Sequence, residues 1–442
     1  MNLQDSFTFK GIFNPASEPG NQLTGELAFS QQKGTDVILL GEFGQKIVAG
    51  PTSDLYHGFS TKGKKVTLTG NSRSLKSFNM PGIMQSGIHA RHLFVGDWFS
   101  SSESLIFDAF KFTLKDLNVW LQISGFEKPS YDREQDQVII KYQKPQTQTF
   151  PINEDFDLYL EFDYYGPPDW QVPVEKVIIE QKPYLKIVSR KGKQHFEKFF
   201  ECYLSLLSFL SFCYFGYPVT TECVFQRNDL DDQNKPLRNV ELFYWAAMNF
   251  EKYAEHRDRT DFLIQFTDIQ DLFQTIVPKW FLLKDKIKAG INMLTELFMY
   301  RNSPVELRFL SIAQAAEHMH RQLINGENLY LQQRLEELVA RLPANVKDTL
   351  LSDPAKFITA IKVNRNYFTH YNEKQANNAA RLSEVHLLAE KMKIILLVIV
   401  LQELGMPEGR ISDIILNNGM WLFNHLLKTK IDKSGPDAPI TN

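Results

Sequence analysis

The chain has 442 residues, too many for one ordinary domain and enough for two or three. Hydrophobic residues make up 43% and charged residues 23%, which excludes a disordered chain and fits a globular one. A formal net charge of −3 excludes a general nucleic-acid coat, so any contact with RNA must use a local basic patch.

The 34 Phe and 16 Tyr supply large aromatic cores. The three cysteines, Cys202, Cys213 and Cys223, are odd in number and form no C-x-x-C. That argues against a disulfide framework or a cysteine zinc site and fits a reducing cytoplasm. The opening residues lack a basic segment followed by an apolar run, so no secretory signal is expected. The apolar run 394–401 is too short to span a bilayer. The longer run 199–219 carries Glu201 and a serine stripe at 205, 208 and 211. Both read as buried core helices, with no membrane partner.

The first ~190 residues read as strands. Candidates lie at 7–13, 23–30, 36–41, 65–70, 88–98, 105–114, 117–124, 137–142, 156–164 and 184–189. From Ile106 to Phe112 large apolar residues alternate with polar or small ones. With no βαβ alternation, the pattern predicts an antiparallel sandwich or barrel.

From about His195 the period changes to 3.6. Helices are expected at 194–214, 268–300 with a break near Pro278, 305–324, 328–342, 353–371, 378–404 and 408–427, with a mixed stretch at 220–259. Asp353-Pro354 supplies a cap followed by proline at the first helical position. The third of these helices has an expected apolar face of Leu310, Ala313, Met319 and Leu323. The fold class is therefore α+β: a β-rich domain over 1–192, a helical connecting region over 193–302, a helical bundle over 303–430 and a disordered tail over 431–442.

No nucleophile elbow, P-loop or H-E-x-x-H is present. One constellation stands out, Arg365-Asn366-Tyr367-Phe368-Thr369-His370, or R-N-x-x-x-H. Metal-free RNA cleavage needs a base for the ribose 2′-OH, a cation for the phosphorane and an acid for the leaving 5′-oxygen. Histidine serves as base or acid near neutral pH. Arginine is permanently cationic and forks onto phosphate. Asparagine can orient the imidazole or donate to phosphate. Such an enzyme leaves a 2′,3′-cyclic phosphate and a 5′-hydroxyl, with no cofactor and no metal.

Asn366 and His370 share a helix face. Arg365 and His370 stand roughly 140° apart around the axis. Three arrangements resolve this: the helix ends or distorts near His370, Arg365 reaches around, or two copies of the chain meet. The spacing alone is weak, because Arg190…His195 and Arg381…His386 repeat it. The bland alternative is a surface pair with no chemistry, in a bundle that only binds RNA or protein.

Surroundings separate the Arg365 copy. The segment from Val363 to Tyr371 resembles the signature of HEPN-domain ribonucleases, most of all the ApeA-type proteins of bacterial anti-phage defence. The stretch from Phe309 to Arg321 resembles that family's first core helix, with Glu317 and a His320-Arg321 ending. Gly11-Ile12-Phe13-Asn14-Pro15, Leu23 to Phe29, and Phe107 to Leu121 resemble parts of the ApeA N-terminal domain. The resemblance implies a HEPN bundle, a homodimer or higher oligomer that joins two motifs, and cleavage of host RNA such as tRNA after a phage-derived trigger. It assigns Arg365, Asn366 and His370 to the active site, with Glu317 beside them. Ala315-Ala316 stand where bulkier residues are common.

Bland readings accompany the rest. Glu317 could pair with Arg321 one turn on. His318 and His320 point apart on a helix, and His89 and His92 face opposite sides of a strand, so neither pair suits a metal. Lys356, Lys362, Lys374 and Arg381 flank the motif as RNA-steering charges or as ordinary solvated ones.

Overall fold

A computed structural model describes residues 2–43, 54–77, 82–166, 178–229, 239–246, 256–299, 303–371, 380–417 and 420–429. The expected tail at 431–442 lies outside them. The chain divides into two compact units, residues 1–204 with 218–256, and residues 205–217 with 257–442. The α+β class is as the sequence predicts.

Among the described residues of the first unit, fourteen strands join into one continuous sheet whose ladders are antiparallel. Its order runs Gln148–Pro151, Phe156–Tyr165, Glu180–Ser189, Ala109–Leu114, Thr220–Gln226, Val240–Tyr244 and His92–Val95. It continues through Lys65–Thr69, Leu55–Ser60, Phe7–Pro15, Leu23–Ser30, Gly34–Leu40, Gln85–Ala90 and Ser72–Ser77. From Phe156 to Asp163 buried and partly exposed positions alternate, the mark of a strand with one face on the core. Phe107, Phe110, Phe199 and Phe225 pack as a buried aromatic cluster, with Phe107 and Phe225 stacked at 4.3 Å. The Tyr203 hydroxyl meets Thr220 Oγ1 and the Tyr244 hydroxyl, each at 2.6 Å.

Three expectations need correction here. Residues 117–124 do not form a strand: Leu117–Leu121 is a short helix, α1, flanked by Asp116 and Gln122 in left-handed conformation. The run 88–98 is not one strand, since Gln85–Ala90 and His92–Val95 are separate partners in the sheet. The stretch 193–302 is not all helical. The strands Thr220–Gln226 and Val240–Tyr244 return to the sheet after the helix α2, Phe196–Cys213.

The second unit is helical: α3 Phe266–Ile269, α4 Phe273–Lys286, α5 Lys288–Met299, α6 Val305–Leu323, α7 Leu331–Ala340, α8 Ala344–Leu350, α9 Pro354–His370, α10 Leu382–Glu403, α11 Glu408–Leu416 and α12 Trp421–Lys428. Pro278 sits inside α4 without ending it; the break comes at Ile287. The expected helix at 408–427 is two, α11 and α12.

Helix α10 is buried on every side from Leu387 to Leu401 and apolar all round from Ile394 to Leu401, as a helix at the centre of a bundle must be. It ends at Gly405, whose φ of +80° favours glycine. Charges inside this shell are matched. Glu390 meets Arg308 at 2.7 Å and Lys393 at 2.5 Å, and Lys393 also lies over the Phe215 ring at 4.7 Å. Burial alone would raise the Glu390 carboxyl; Lys393 and Arg308 outweigh it and hold it below the usual carboxylate range. Lys391 donates to the Leu350 carbonyl, and burial pushes its ammonium down to about 8. Among the described residues, no helix is long and apolar enough to cross a membrane.

Candidate active site

Helix α9 starts where the sequence says it should. Asp353 Oδ1 accepts from the Lys356 backbone at 3.0 Å, and Pro354 follows at the first position. Phe357, Ile361, Asn364 and Phe368 are buried and recur every three or four residues, so they form the packed stripe. Phe368 meets Phe309 of α6 ring to ring at 6.0 Å. That stripe leaves the next residues, Arg365 and Asn366, partly exposed beside it, and His370 exposed.

The helix stops at His370. Tyr371 adopts φ 47° and ψ 40°, and its backbone N–H turns back to the Tyr367 carbonyl at 2.6 Å. Of the three geometric resolutions, the helix end at His370 is therefore present in the chain itself. A left-handed tyrosine costs about 1 kcal/mol, and here it closes the helix directly after the motif. Tyr367, Phe368 and Tyr371 form a ring cluster at this end, with Tyr371 63% exposed.

Helix α6 brings the fourth residue. Its buried stripe is Phe309, Ile312, Ala313, Ala316, Met319 and His320, rotated from the expected face because Leu310 and Leu323 are only partly covered. The small pair Ala315-Ala316 is fully buried. The close approach of α5 needs a glycine too, since a Cβ on Gly290 would meet Met319 Cγ at 2.6 Å. Glu317 follows this stripe. Its Oε1 accepts from Arg365 Nη2 at 3.3 Å, with the two side chains 24% and 33% exposed. Glu317 thus pairs across to α9 as well as lying one turn from Arg321.

So the structure joins Arg365 to Glu317 and places Asn366 and His370 on the same helix end. Among the described residues, no side-chain hydrogen bond is made by Asn366 or His370 to another side chain or backbone group. Lys356 is exposed beside Asp353, and Lys362 reaches Gln332 at 3.1 Å; Lys374 lies outside the described residues.

Two buried polar residues that sequence reasoning passed over brace the two helices that carry these side chains. Asn364 is 1% exposed; its amide donates to the Ala360 carbonyl and its oxygen accepts from Ala380 N, each at 2.8 Å. It thereby ties the return of the chain to the helix that carries Arg365. Its signal was visible as a polar residue in the apolar stripe. Arg334 of α7 is 1% exposed and bonds His320 Nδ1 at 2.9 Å and three carbonyls of the turn before it, those of Asn325, Glu327 and Leu329. His318 stays apart, its Nδ1 buried without a partner and its imidazole pushed down by burial and by Arg321.

The competing copies of the spacing are engaged elsewhere. Arg190 forks onto Asp157, and His195 meets the Ser102 carbonyl at 2.9 Å. Arg381 stands at the N-cap position of α10, while burial lowers the His386 imidazole. His89 faces Asp36 at 3.2 Å, whereas His92 packs on Phe196 and Phe200. Among the described residues, no three His, Cys, Asp or Glu side chains gather as a metal site.

The family model for the ApeA N-terminal domain 1 matches residues 8–280, more than half of the chain. The chain belongs to the ApeA family. A second model, the Apea-like HEPN domain, matches residues 238–410, a span that contains Glu317, Arg365, Asn366 and His370. This places the chain in a family of HEPN-type defence nucleases. No curated protein and no solved structure matches it.

Proposed function

We propose that the chain is a metal-independent endoribonuclease of abortive anti-phage defence, cutting host RNA, tRNA among the candidates, at Arg365, Asn366 and His370. The observation that carries this reading is the Arg365–Glu317 contact at 3.3 Å beside the helix end that exposes His370. Glu317 occupies one edge of a guanidinium that has five N–H donors, so the others remain for phosphate oxygens. The pair holds Arg365 in place before substrate arrives, which lowers the reorganisation needed in the transition state.

In the proposed reaction His370 takes the proton of the ribose 2′-OH. The 2′-oxygen attacks phosphorus, the P–O5′ bond breaks, and the 5′-oxygen takes a proton from an acid. The products are a 2′,3′-cyclic phosphate and a 5′-hydroxyl. Arg365 neutralises the phosphorane, and Asn366, four residues before His370, orients the imidazole or donates to phosphate. One chain offers one such histidine, so a homodimer that sets two motifs face to face supplies both base and acid. The compartment that fits is the cytoplasm, where a phage-derived trigger and the RNA are found together.

The test is to sequence RNA ends after induction, comparing wild type with His370→Ala, and to repeat cleavage in vitro with EDTA. New ends bearing cyclic phosphate in wild type only, unchanged by EDTA, are expected. Equal ends and equal growth arrest in His370→Ala and Arg365→Ala sink the reading in favour of a non-catalytic scaffold. Loss of cleavage in EDTA sinks the metal-free chemistry.

A further inference from the structure

Residues 125–143 of the N-terminal unit form a hairpin arm outside the large sheet. Its strands Ser130–Asp132 and Gln137–Ile139 make a two-stranded antiparallel sheet of their own. The ladder continues to the root, where Glu127 N donates to the Lys141 carbonyl at 3.1 Å and Gln143 N to the Gly125 carbonyl at 2.8 Å. The root is anchored: Gly125 N donates to Gln181 Oε1 at 2.8 Å, and the Tyr142 ring meets Tyr164 at 5.5 Å. From Glu127 to Lys141 every residue is exposed except Asp132, which is partly so.

Such an arm is an unfinished sheet. A two-stranded hairpin alone is marginal in water, and its outer edges present N–H and C=O groups that a further strand can use. The two edges differ. Pro129, which has no N–H, precedes the first strand. Four steps separate Phe126 from Ser130 there, against three between their partners Tyr142 and Ile139, so the first strand also carries an extra residue. Proline and a bulge both blunt an edge. The second strand runs from Gln135 to Gln143 without proline or glycine, through Val138-Ile139-Ile140. Among the described residues it pairs with the first strand alone.

Side chains narrow the partner. Tyr131 and Val138 are register partners and share a face, which Ile140, two residues on, extends. They are 57%, 67% and 56% exposed. Charges are sorted along the arm. The tip, 132–136, holds three carboxylates against one arginine. The root, 127–128 with 141–144, holds three lysines against one glutamate. Glu127 pairs with Lys141 at 3.8 Å, which leaves Lys128 and Lys144 as the excess charge of the root. A strand that completes the open edge must be apolar, with an acidic end for the root and a basic end for the tip. A second copy of the same arm, turned antiparallel, meets all three conditions. Parallel pairing would set tip on tip and root on root, like charge against like.

We propose that two copies of the chain associate through this arm, their second strands paired antiparallel about a two-fold axis at Ile139. Val138 of one copy then lies opposite Ile140 of the other, Gln137 opposite Lys141, and the two hairpins become one four-stranded sheet. A two-fold contact of this kind closes on itself. It belongs to the N-terminal unit, is separate from the joining of two R-N-x-x-x-H motifs, and does not rest on the ribonuclease reading.

The experiment follows the mass of the full chain by sedimentation over a micromolar range and links copies by oxidation with diamide. Ile139→Cys sets two thiols opposite each other, with Cα atoms about 4.5–5.5 Å apart, within disulfide reach. A linked dimer is expected on a non-reducing gel. Ser130→Cys is the control, because two such positions lie three strand spacings, roughly 14 Å, apart and are expected to stay unlinked. Native Cys202, Cys213 and Cys223 are buried and do not compete. Val138→Asp is expected to weaken the association at least about tenfold, halving the mass of the assembly while the chain stays folded. Lys144→Glu is expected to weaken it about threefold, and Glu134→Lys added to that change to restore it. The proposal is overturned by an unlinked Ile139→Cys, by equal linking of Ser130→Cys, or by wild-type association in a folded Val138→Asp. No readout involves RNA, so failure of the ribonuclease reading would leave these outcomes unchanged.

Discussion

Arg365 and Glu317 are 48 residues apart in sequence, yet Nη2 of one donates to Oε1 of the other at 3.3 Å across α9 and α6. Both side chains are partly exposed, so the pair contributes only about 0–1 kcal/mol to stability. Its value under the ribonuclease reading is positional. Glu317→Ala is expected to lower kcat/KM for RNA about tenfold, with Glu317→Gln recovering part of it through the same acceptor oxygen. Arg365→Lys is expected to lose about 10²-fold or more, since lysine cannot fork. Chemical denaturation of all three should stay within about 1 kcal/mol of wild type. A stability loss that tracks the activity loss would show a structural pair instead.

His320 and Arg334 fix each other's chemistry. Arginine has no acceptor, so the contact of Arg334 Nη1 with His320 Nδ1 at 2.9 Å makes Nδ1 the acceptor. The proton then sits on Nε2, which donates to Glu337 Oε2 at 2.8 Å. Burial first, helped by Arg334 and Arg341, lowers the imidazole against the pull of Glu337, in keeping with a neutral ring. Nitrogen NMR should therefore report the Nε2–H tautomer at pH 7. Arg334→Met strips His320 and three turn carbonyls of their donor and is expected to cost about 3–5 kcal/mol in urea. A loss below about 1 kcal/mol would show that the turn satisfies itself in other ways.

His92 gives the sheet an acid limit. Burial, then Arg91, holds its imidazole at about 4, against about 6.5 in an unfolded chain. Because the folded value is the lower one, the unfolded chain takes up the proton first as pH falls. Stability is intact above about pH 6.5 and declines between there and about 4, by at most about 3 kcal/mol. His92→Phe suits the aromatic neighbours Phe196 and Phe200 and should flatten that part of the pH–stability curve. An unchanged slope would assign the acid sensitivity to other groups.

The sequence carried the helical half more completely than the sheet. Asp353-Pro354, Gly405 and the 3.6-residue period are local signals, and the structure uses each, though the buried stripe of α6 is rotated from the expected one. Strand pairing is not local. Thr220–Gln226 and Val240–Tyr244 follow a helix, and only their distant partners Ala109–Leu114 and His92–Val95 make them strands. Leu117–Leu121 looked like a strand because its residues are branched or aromatic, yet left-handed Asp116 and Gln122 bracket one helical turn. At the site, the sequence places the helix end near 371 but does not single out Asn364, because a buried asparagine in an apolar stripe looks like a flaw until its partners are seen.

Asn364 is where packing and chemistry meet. It occupies a stripe position that Phe357, Ile361 and Phe368 fill with apolar groups, and its amide is spent on the helix itself at Ala360. The oxygen reaches Ala380 N at 2.8 Å and so fixes where the chain re-enters α10, next to Arg365. Asn364→Leu completes the apolar stripe and removes that tether together with the side-chain bond to Ala360. The helix is therefore expected to persist, with global stability changed by no more than about 1–2 kcal/mol. Hydrogen exchange at the Ala380 amide should speed up markedly, and RNA cleavage should fall because the ground beside Arg365 is loosened. Full protection of that amide in a folded Asn364→Leu, with cleavage unchanged, would remove Asn364 from the positioning of the site.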